Sequence, residues 1–204
     1  MRFGPVTVEF DHTVLRPRPW TLALAEWAAE LTDATVLLEV GCGAGHIGLA
    51  AAVLSRSSLV QVDRSPAAYR WAQHNAAANG LTGLVSQRCG TVADVLAEGE
   101  RFALVLADPP YVPSSEVDRF PDDPPGAIDG GPDGLTQVRS FLTEVAPHVA
   151  SDGSLLLQLR GRPQVDALRA WLSTGPPAPA LVSVETREYG DDGAVTRLVA
   201  PPHP

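Results

Sequence analysis

Four consecutive residues in the middle of the chain could hold and orient a nitrogen atom. Asp108-Pro109-Pro110-Tyr111 follows the apolar run FALVLA, which is typical of a buried strand. Because each proline fixes its own φ, the Asp108 carboxylate and the Pro109 carbonyl would stand at a fixed spacing as two hydrogen-bond acceptors. Two such acceptors could hold both hydrogens of a planar NH₂ group against the Tyr111 ring. The segment therefore predicts a substrate-binding and catalytic site, although taken alone it is also compatible with a simple strand end.

A second segment, LEVGCGAGHIGLA over residues 38–50, contains the glycines of a ligand-binding turn. Gly41, Gly43 and Gly45 allow a tight turn and a close approach of a ligand, where a helix begins. The stretch GAGHIG also matches G-x-G-x-x-G, so the glycines alone leave both NAD and S-adenosylmethionine (SAM) open as cofactors. Cys42 lies between two of these glycines, and we interpret it as a small filling residue of the cofactor site.

Two acids favour one of these cofactors. Asp63 ends the next predicted strand, where a carboxylate can bind ribose hydroxyls, and Arg64 lies beside it. Glu39 precedes the glycines, and an acid there suits the sulfonium and ammonium of SAM better than the two phosphates of NAD. The electrostatics therefore favour SAM.

Apolar runs alternate with helical patterns along the chain, which indicates βαβ units and a mainly parallel α/β sheet. Strands are predicted at 36–40, 58–63, 84–89, 102–108 and 153–159, and helices at 46–54, 66–80, 135–149 and 165–172. Residues 181–188 and 194–200 predict a closing hairpin around Asp191-Asp192-Gly193, and 109–133 a long loop. Because ligands bind at the carboxyl ends of such strands, the glycine turn and Asp108 are expected to meet there.

Composition limits the possible partners. The 204 residues carry a formal net charge of −9, which disfavours a nucleic-acid partner because phosphate affinity comes from clustered Lys and Arg. The N-terminus does not resemble a secretory signal, and no apolar run approaches the roughly 20 residues of a membrane span. With two cysteines and no metal-ligand spacing among the histidines, we expect a cytoplasmic protein without a metal site.

Three segments together resemble a known family. They are VLRPRPWT at 14–21, the DPPY segment, and AIDGGPDGL at 127–135. The chain is similar to class I SAM-dependent methyltransferases, and among them to the HemK/PrmC family of protein-glutamine N-methyltransferases, whose motif is N-P-P-Y. The resemblance implies a Rossmann-like class I methyltransferase fold: a mainly parallel seven-stranded sheet with a C-terminal antiparallel hairpin and helices on both faces.

The resemblance also implies a single domain over 1–204. Residues 1–34 would form a segment that covers substrate and cofactor, and 35–204 the catalytic core. This would be a short form of the family, without its longer N-terminal helical domain. Bound SAM would be contacted by Thr21, Arg64 and Asp108, and its adenine by Thr91 and Val92, where relatives usually carry an acid.

The resemblance further implies an N-methyltransferase acting on a protein or peptide glutamine, as in release factors. Pro110 and Arg18 would contact the substrate with the DPPY residues, and a small activating partner subunit is conceivable for such a chain. Asp108 replaces the family's Asn, which could favour a nucleobase or small-molecule amine as the acceptor. A non-catalytic SAM-binding scaffold and an NAD-linked oxidoreductase remain alternatives, although neither explains the DPPY segment.

Overall fold

A computed structural model describes residues 1–32, 36–175, 179–190 and 193–200. The strands are β1 Arg2–Phe3, β2 Val6–Thr7, β3 Val36–Val40, β4 Ser58–Asp63, β5 Val85–Cys89, β6 Phe102–Ala107, β7 Val149–Arg160, β8 Val182–Tyr189 and β9 Gly193–Val199. The helices are α1 Leu22–Leu31, α2 His46–Ser55, α3 Pro66–Ala78, α4 Val92–Val95, α5 Pro125–Ile128, α6 Thr136–Val145 and α7 Gly161–Leu172. Short 3₁₀ helices cover Pro19–Thr21, Ser114–Arg119 and Ala146–His148.

The seven-stranded sheet has the order β5-β4-β3-β6-β7-β9-β8. The first five strands in this order are parallel, whereas β9 runs antiparallel to both of its neighbours. The predicted mainly parallel sheet with a C-terminal antiparallel pair is therefore confirmed. Of the predicted hairpin turn, Asp191 and Asp192 lie outside the described residues.

Both faces of the sheet are apolar, because successive side chains of a strand point to opposite faces. In β3, Leu37 joins a buried cluster with residues of α1, α2 and α3, and Leu38 joins another with residues of α4, α6 and α7. The prediction of helices on both faces is confirmed. None of the helices in the described ranges is both long and apolar enough to cross a membrane.

The N-terminal region contains elements that the sequence did not predict. The hairpin of β1 and β2 has only two residues in each strand, too few for a visible alternation. Helix α1 buries Ala23, Leu24, Ala25, Trp27 and Ala28, so its sequence is apolar over most of its circumference and lacks a clear amphipathic stripe. The predicted long loop also contains the 3₁₀ helix Ser114–Arg119 and α5.

The strand order reverses between β3 and β6, which are neighbours in the sheet. From β3 the chain proceeds outward through β4 and β5, then returns to the other side of β3 as β6. Val40 and Ala107 are paired residues, so the segments that follow them leave the sheet side by side. The fold thus brings the glycine turn and Asp108 together at the switch point, where ligands bind in sheets of this kind.

Candidate active site

The carboxyl ends of β3, β4 and β6 surround a cavity of about 500 Å³, here called the glycine-turn cavity. The described residues that line it are Thr13, Val14, Leu15, Val40, Gly41, Cys42, Gly43, His46, Ile47, Val62, Asp63, Arg64, Ser65, Ala68, Gly90, Thr91, Val92, Asp108, Pro109, Pro110, Pro124, Gly126, Ala127, Gln137, Ser140, Phe141 and Glu144. The N-terminal segment, the loop after β6 and helix α6 therefore all contribute to a site built on the sheet.

The glycine turn leaves room for a ligand. Gly41 and Gly43 have φ angles of 73° and 53°, which side chains rarely adopt. A Cβ atom at either position would meet no other heavy atom within 4 Å, so it would project into open space. These two positions form a backbone surface that a bound molecule can approach closely.

The N–H groups of this turn are already engaged within the protein. Gly41 and Cys42 donate to the Val62 carbonyl at 2.8 and 3.3 Å, and Gly43 donates to Oδ2 of Asp63 at 2.9 Å. A pyrophosphate would need such donors free, as in dinucleotide-binding turns. The acids Asp63, Asp108 and Glu144 line the cavity, against one described cation, Arg64. The residues therefore fit a cationic ligand such as SAM better than NAD.

Asp63 ties the ends of two neighbouring strands together and faces the glycine-turn cavity. Its Oδ2 accepts from Gly43, and its Oδ1 accepts from the Ser65 backbone N–H at 2.8 Å. A carboxylate has about four acceptor positions, so further hydrogen bonds from a ligand's hydroxyl groups remain possible. The carboxylate is thereby held in place before any ligand arrives.

Glu39 takes a different position from the one that the sequence suggested. It is 3% exposed, does not line the glycine-turn cavity, and accepts hydrogen bonds from Gln61 Nε2 at 2.7 Å and from the Gly48 backbone. Burial raises the pKa of Glu39 to about 7, and these two hydrogen bonds oppose that rise. Glu39 thus anchors the first turn of α2, and any effect of its charge on a ligand is indirect.

Replacing Gly48 with alanine is expected to destabilise the fold, although alanine is normally the better helix residue by about 1 kcal/mol. A Cβ at Gly48 would overlap Oε2 of Glu39 and lie 2.9 Å from its Cδ. Overpacking of this kind costs about 1–3 kcal/mol, enough to reverse the sign of the helix-propensity gain. Urea unfolding measures the change. Gly83→Ala is the control because its Cβ would meet nothing within 4 Å, and equal stabilities of the two variants would contradict the prediction.

Asp108 lies where two cavities meet. A second cavity of about 530 Å³, here called the tyrosine cavity, shares five lining residues with the first: Leu15, Asp108, Pro109, Pro110 and Ala127. The other described residues that line it are Arg18, Trp20, Tyr111, Val112, Phe120, Asp123, Ile128, Arg160, Tyr189, Gly190 and Gly193. Burial raises the pKa of the Asp108 carboxyl to about 7. A group held in the tyrosine cavity could thus reach a molecule in the glycine-turn cavity past this carboxyl.

The segment after Tyr111 is held rigidly by backbone contacts. The Tyr111 carbonyl accepts from Gln164 Nε2 at 2.8 Å, and Val112 exchanges backbone hydrogen bonds with Ile128 and Gly130 at 2.9 and 2.8 Å. A Cβ at Gly134 would lie 2.5 Å from the Tyr111 carbonyl oxygen, so only glycine permits this approach. The AIDGGPDGL segment therefore fixes the position of the DPPY backbone. Burial raises the pKa of the Tyr111 phenol above its ordinary value, which keeps it neutral.

The N-terminal segment and the loop after β6 meet over the tyrosine cavity. Arg18 forms an ion pair with Asp123, whose side chain is only 7% exposed. The Arg18 guanidinium also lies 5.8 Å from the centre of the Trp20 ring. Trp20 and Phe120 remain 47% and 38% exposed, so apolar aromatic surface is available at the cavity.

Most of the residues predicted for the site line one of the two cavities. Those on the glycine-turn cavity are Gly41, Cys42, Gly43, Asp63, Arg64, Thr91, Val92, Asp108, Pro109 and Pro110, and Arg18 and Tyr111 lie on the tyrosine cavity. Glu39, Gly45 and Thr21 line neither. The buried Thr21 hydroxyl donates to the Arg18 carbonyl at 2.9 Å. Burial raises the pKa of the Cys42 thiol, in keeping with a filling residue.

Sequence reasoning missed several apolar residues of the site. Leu15 and Ala127 line both cavities, and Phe141 lines the glycine-turn cavity from α6. Tyr189 reaches the tyrosine cavity from the end of β8. The position of Tyr189 depends on the strand order, and no local pattern in the sequence indicates it.

Comparisons with known proteins identify a matching family model and similar proteins of known function. The family model described as "Methyltransferase small domain" matches residues 21–120. The release factor glutamine methyltransferase of Mycolicibacterium smegmatis is 33% identical over 163 residues, which are 76% of this chain and 57% of that protein. The protein of the same name from Xylella fastidiosa strain Temecula1 is 31% identical over 194 residues, which are 91% of this chain and 68% of that protein. The chain thus spans between about a half and two thirds of such relatives.

Solved structures share the fold at low sequence identity. The ribosomal protein L11 methylase of Lactobacillus delbrueckii subsp. bulgaricus superposes with a TM-score of 0.67 at 15% identity, covering 95% of this chain and 84% of that one. A superposition at this level of sequence identity supports the class I methyltransferase fold but not a shared substrate.

Proposed function

Because this chain belongs to the release factor glutamine methyltransferase family, we propose that it transfers the methyl group of SAM to a planar NH₂ nitrogen, that of a glutamine side chain in a protein. The observation that carries this proposal is the Asp108 carboxyl at the junction of the two cavities. One cavity suits the cofactor, and the other can admit a side chain from a substrate.

The glycine-turn cavity would hold SAM through residues that are already positioned. The backbone of Gly41 and Gly43 would lie against the ligand, Asp63 would accept from the ribose hydroxyls, and Thr91 with Val92 would contact the adenine. When bound, SAM supplies a methyl group made electrophilic by a positively charged sulfur. Acids around the cavity favour this positive charge.

In the tyrosine cavity, Asp108 and the Pro109 carbonyl would hold the two hydrogens of the acceptor NH₂ group, with Tyr111 against its plane. An amide nitrogen is a weak nucleophile, because its lone pair is delocalised, so its orientation matters. Holding both hydrogens turns the nitrogen toward the glycine-turn cavity, and such positioning can lower a barrier by about 7–11 kcal/mol in favourable cases. With a pKa of about 7, Asp108 can also take the proton that the nitrogen loses.

Residues 1–34 would act as a covering segment within a single domain. Thr13 and Val14 line the glycine-turn cavity, Trp20 lines the tyrosine cavity, and Leu15 lines both. A substrate protein would therefore contact this segment on its way to Asp108.

Methyl-labelled SAM tests the acceptor directly. The purified protein is mixed separately with host proteins that include release factors, with total nucleic acid and with small metabolites. We expect label in a protein band, mapped by mass spectrometry to a glutamine side chain. Label confined to nucleic acid or metabolites would overturn the glutamine assignment while keeping the methyltransferase one.

A nucleobase or small-molecule amine is the second candidate acceptor. Two observations favour it: Asp108 replaces the Asn of the family motif, and the tyrosine cavity of about 530 Å³ has exposed Trp20 and Phe120, suited to a flat ring. The net charge of −9 weighs against nucleic acid as the substrate.

Replacing Asp63 with alanine is expected to weaken SAM binding by about 10-fold to 100-fold, because hydrogen bonds to a charged group are lost. The support of Gly43 by this carboxylate is lost as well. Isothermal titration calorimetry measures the change. Asp152→Ala is the control, because Asp152 is an exposed acid that lines neither cavity. Wild-type affinity in Asp63→Ala would show that this carboxylate has no part in cofactor binding.

A further inference from the structure

The imidazole of His46, the first residue of α2, has no hydrogen-bond partner among the described residues. The residue lines the glycine-turn cavity, yet is only 9% exposed. Its ring meets the ring of Phe3 edge to face, with centroids 4.8 Å apart and an interplanar angle of 87°. Nδ1 is buried and has no hydrogen-bond partner among the described residues. Nε2, the other ring nitrogen, is not among the fully buried atoms, so it is the nitrogen that can meet a ligand in the cavity.

The charge state of the imidazole limits what it can bind. Burial lowers the pKa of His46 to about 3, so the ring is neutral at physiological pH and carries one proton. A buried lone pair without a partner is more readily tolerated than a buried N–H, which places the proton on Nε2. His46 therefore offers the cavity a neutral hydrogen-bond donor.

The start of α2 adds a second feature suited to an anion. The helix has ten residues, its N-cap Gly45 supplies no side-chain hydrogen bond, and Glu39 engages the N–H of Gly48. The first-turn N–H groups and the helix dipole favour a negative group where His46 and Ile47 line the cavity.

The amino-acid end of SAM carries such a group, a carboxylate. Thr21, which the resemblance placed against SAM, donates to the Arg18 carbonyl and lines neither cavity. Arg64, the one cation among the described lining residues, follows Asp63 on the part of the cavity assigned to the ribose. The N-terminus of α2, where the helix dipole and the His46 donor coincide, is therefore suited to receive the carboxylate.

We propose that His46 recognises the amino-acid end of the cofactor by donating a hydrogen bond to its carboxylate at the N-terminus of α2, with Phe3 positioning the imidazole. This inference rests on the proposed use of SAM. It gives the N-terminal β1–β2 hairpin a role in cofactor binding, because Phe3 belongs to β1.

Two ligands with uncharged sulfur test the proposal by calorimetry. S-adenosylhomocysteine contains the amino-acid end, whereas 5′-methylthioadenosine lacks it. His46→Phe keeps an aromatic ring against Phe3 but removes the donor. We expect it to weaken S-adenosylhomocysteine binding by about 10-fold or more and to leave 5′-methylthioadenosine binding unchanged. His46→Gln, which retains an N–H donor, is expected to recover part of the loss.

The outcomes separate this proposal from the proposed function. Unchanged S-adenosylhomocysteine binding in His46→Phe, or equal weakening of both ligands in His46→Phe and His46→Gln, would overturn the role of His46. A wild-type protein that binds neither ligand would instead overturn the use of SAM itself.

Discussion

Replacing Asp108 with alanine is expected to lower kcat by at least about 10³-fold while SAM affinity falls far less. Alanine removes the carboxylate that would hold one hydrogen of the acceptor NH₂ group and leaves the Pro109 carbonyl alone. The nitrogen could then rotate, so that its lone pair would no longer point at the glycine-turn cavity. The ribose and adenine contacts lie elsewhere in that cavity, so most of the cofactor affinity should be retained and only the attraction between the carboxylate and the sulfonium is lost.

The measurement combines single-turnover methyl transfer with calorimetric titration of SAM. Asp122→Ala is the matched control, because Asp122 is an exposed acid in the same loop after β6. It should leave both quantities unchanged. Methyl transfer at the wild-type rate in Asp108→Ala would show that Asp108 does not orient the acceptor nitrogen.

Asp108→Asn then distinguishes the two classes of acceptor. An amide oxygen can still accept from a substrate NH₂ group, as the Asn of the family motif would, so methylation of a glutamine side chain should persist. A methylated amide nitrogen is a strong acid and can release its proton to water, whereas an acceptor that arrives as an ammonium must first give a proton to Asp108 and would lose activity, because an amide is not a base at neutral pH. The ratio of the two variants' activities therefore reports the chemistry of the acceptor nitrogen.

The sequence predicts the parts of this site that depend on local chain geometry. The glycines at 41 and 43, Asp63 at the end of β4 and the DPPY segment are each recognisable from residue types within one strand-to-loop transition. Their convergence follows from the βαβ pattern, because carboxyl ends of parallel strands share one edge of the sheet.

Other parts depend on tertiary contacts that no local pattern encodes. Glu39 lies close to the glycines in sequence, but Gly48 leaves space for its carboxyl at the first turn of α2, so it turns away from the cavity. Thr21 is also buried, and its hydroxyl donates a hydrogen bond to the Arg18 carbonyl instead of facing the cavity. The contribution of Tyr189 requires β8 to be placed beside β9, which only the finished sheet determines.

The activity is expected to rise with pH through a midpoint near 7. Burial raises the pKa of Asp108 to about 7, and only its carboxylate form accepts from the acceptor NH₂ group without presenting a competing O–H. Below the midpoint, kcat/KM for SAM, which reports ionisations of the free protein, should fall about 10-fold per pH unit for an acceptor that needs a base, and for a glutamine side chain it should level off near the activity of Asp108→Asn. The kcat profile should have a lower midpoint, because the cation of bound SAM favours the carboxylate.

The contribution of the buried acids to stability should fall as pH rises, whereas the activity should increase. The two trends differ in sign, which makes the origin of the pH effect testable. Glu39 and Asp108 both have pKa values raised to about 7 in the folded state, from ordinary values near 4. Their contribution to stability is fully present below the unfolded-state pKa and is lost as pH rises through about 7. Between pH 5 and pH 7 these two groups therefore favour the folded protein more at the acidic end, where activity should be lowest.

Two variants assign the midpoint of the activity profile to one residue. Glu39→Gln should keep the activity midpoint and Asp108→Asn should abolish it. A midpoint that survives in Asp108→Asn would assign the titration to another group.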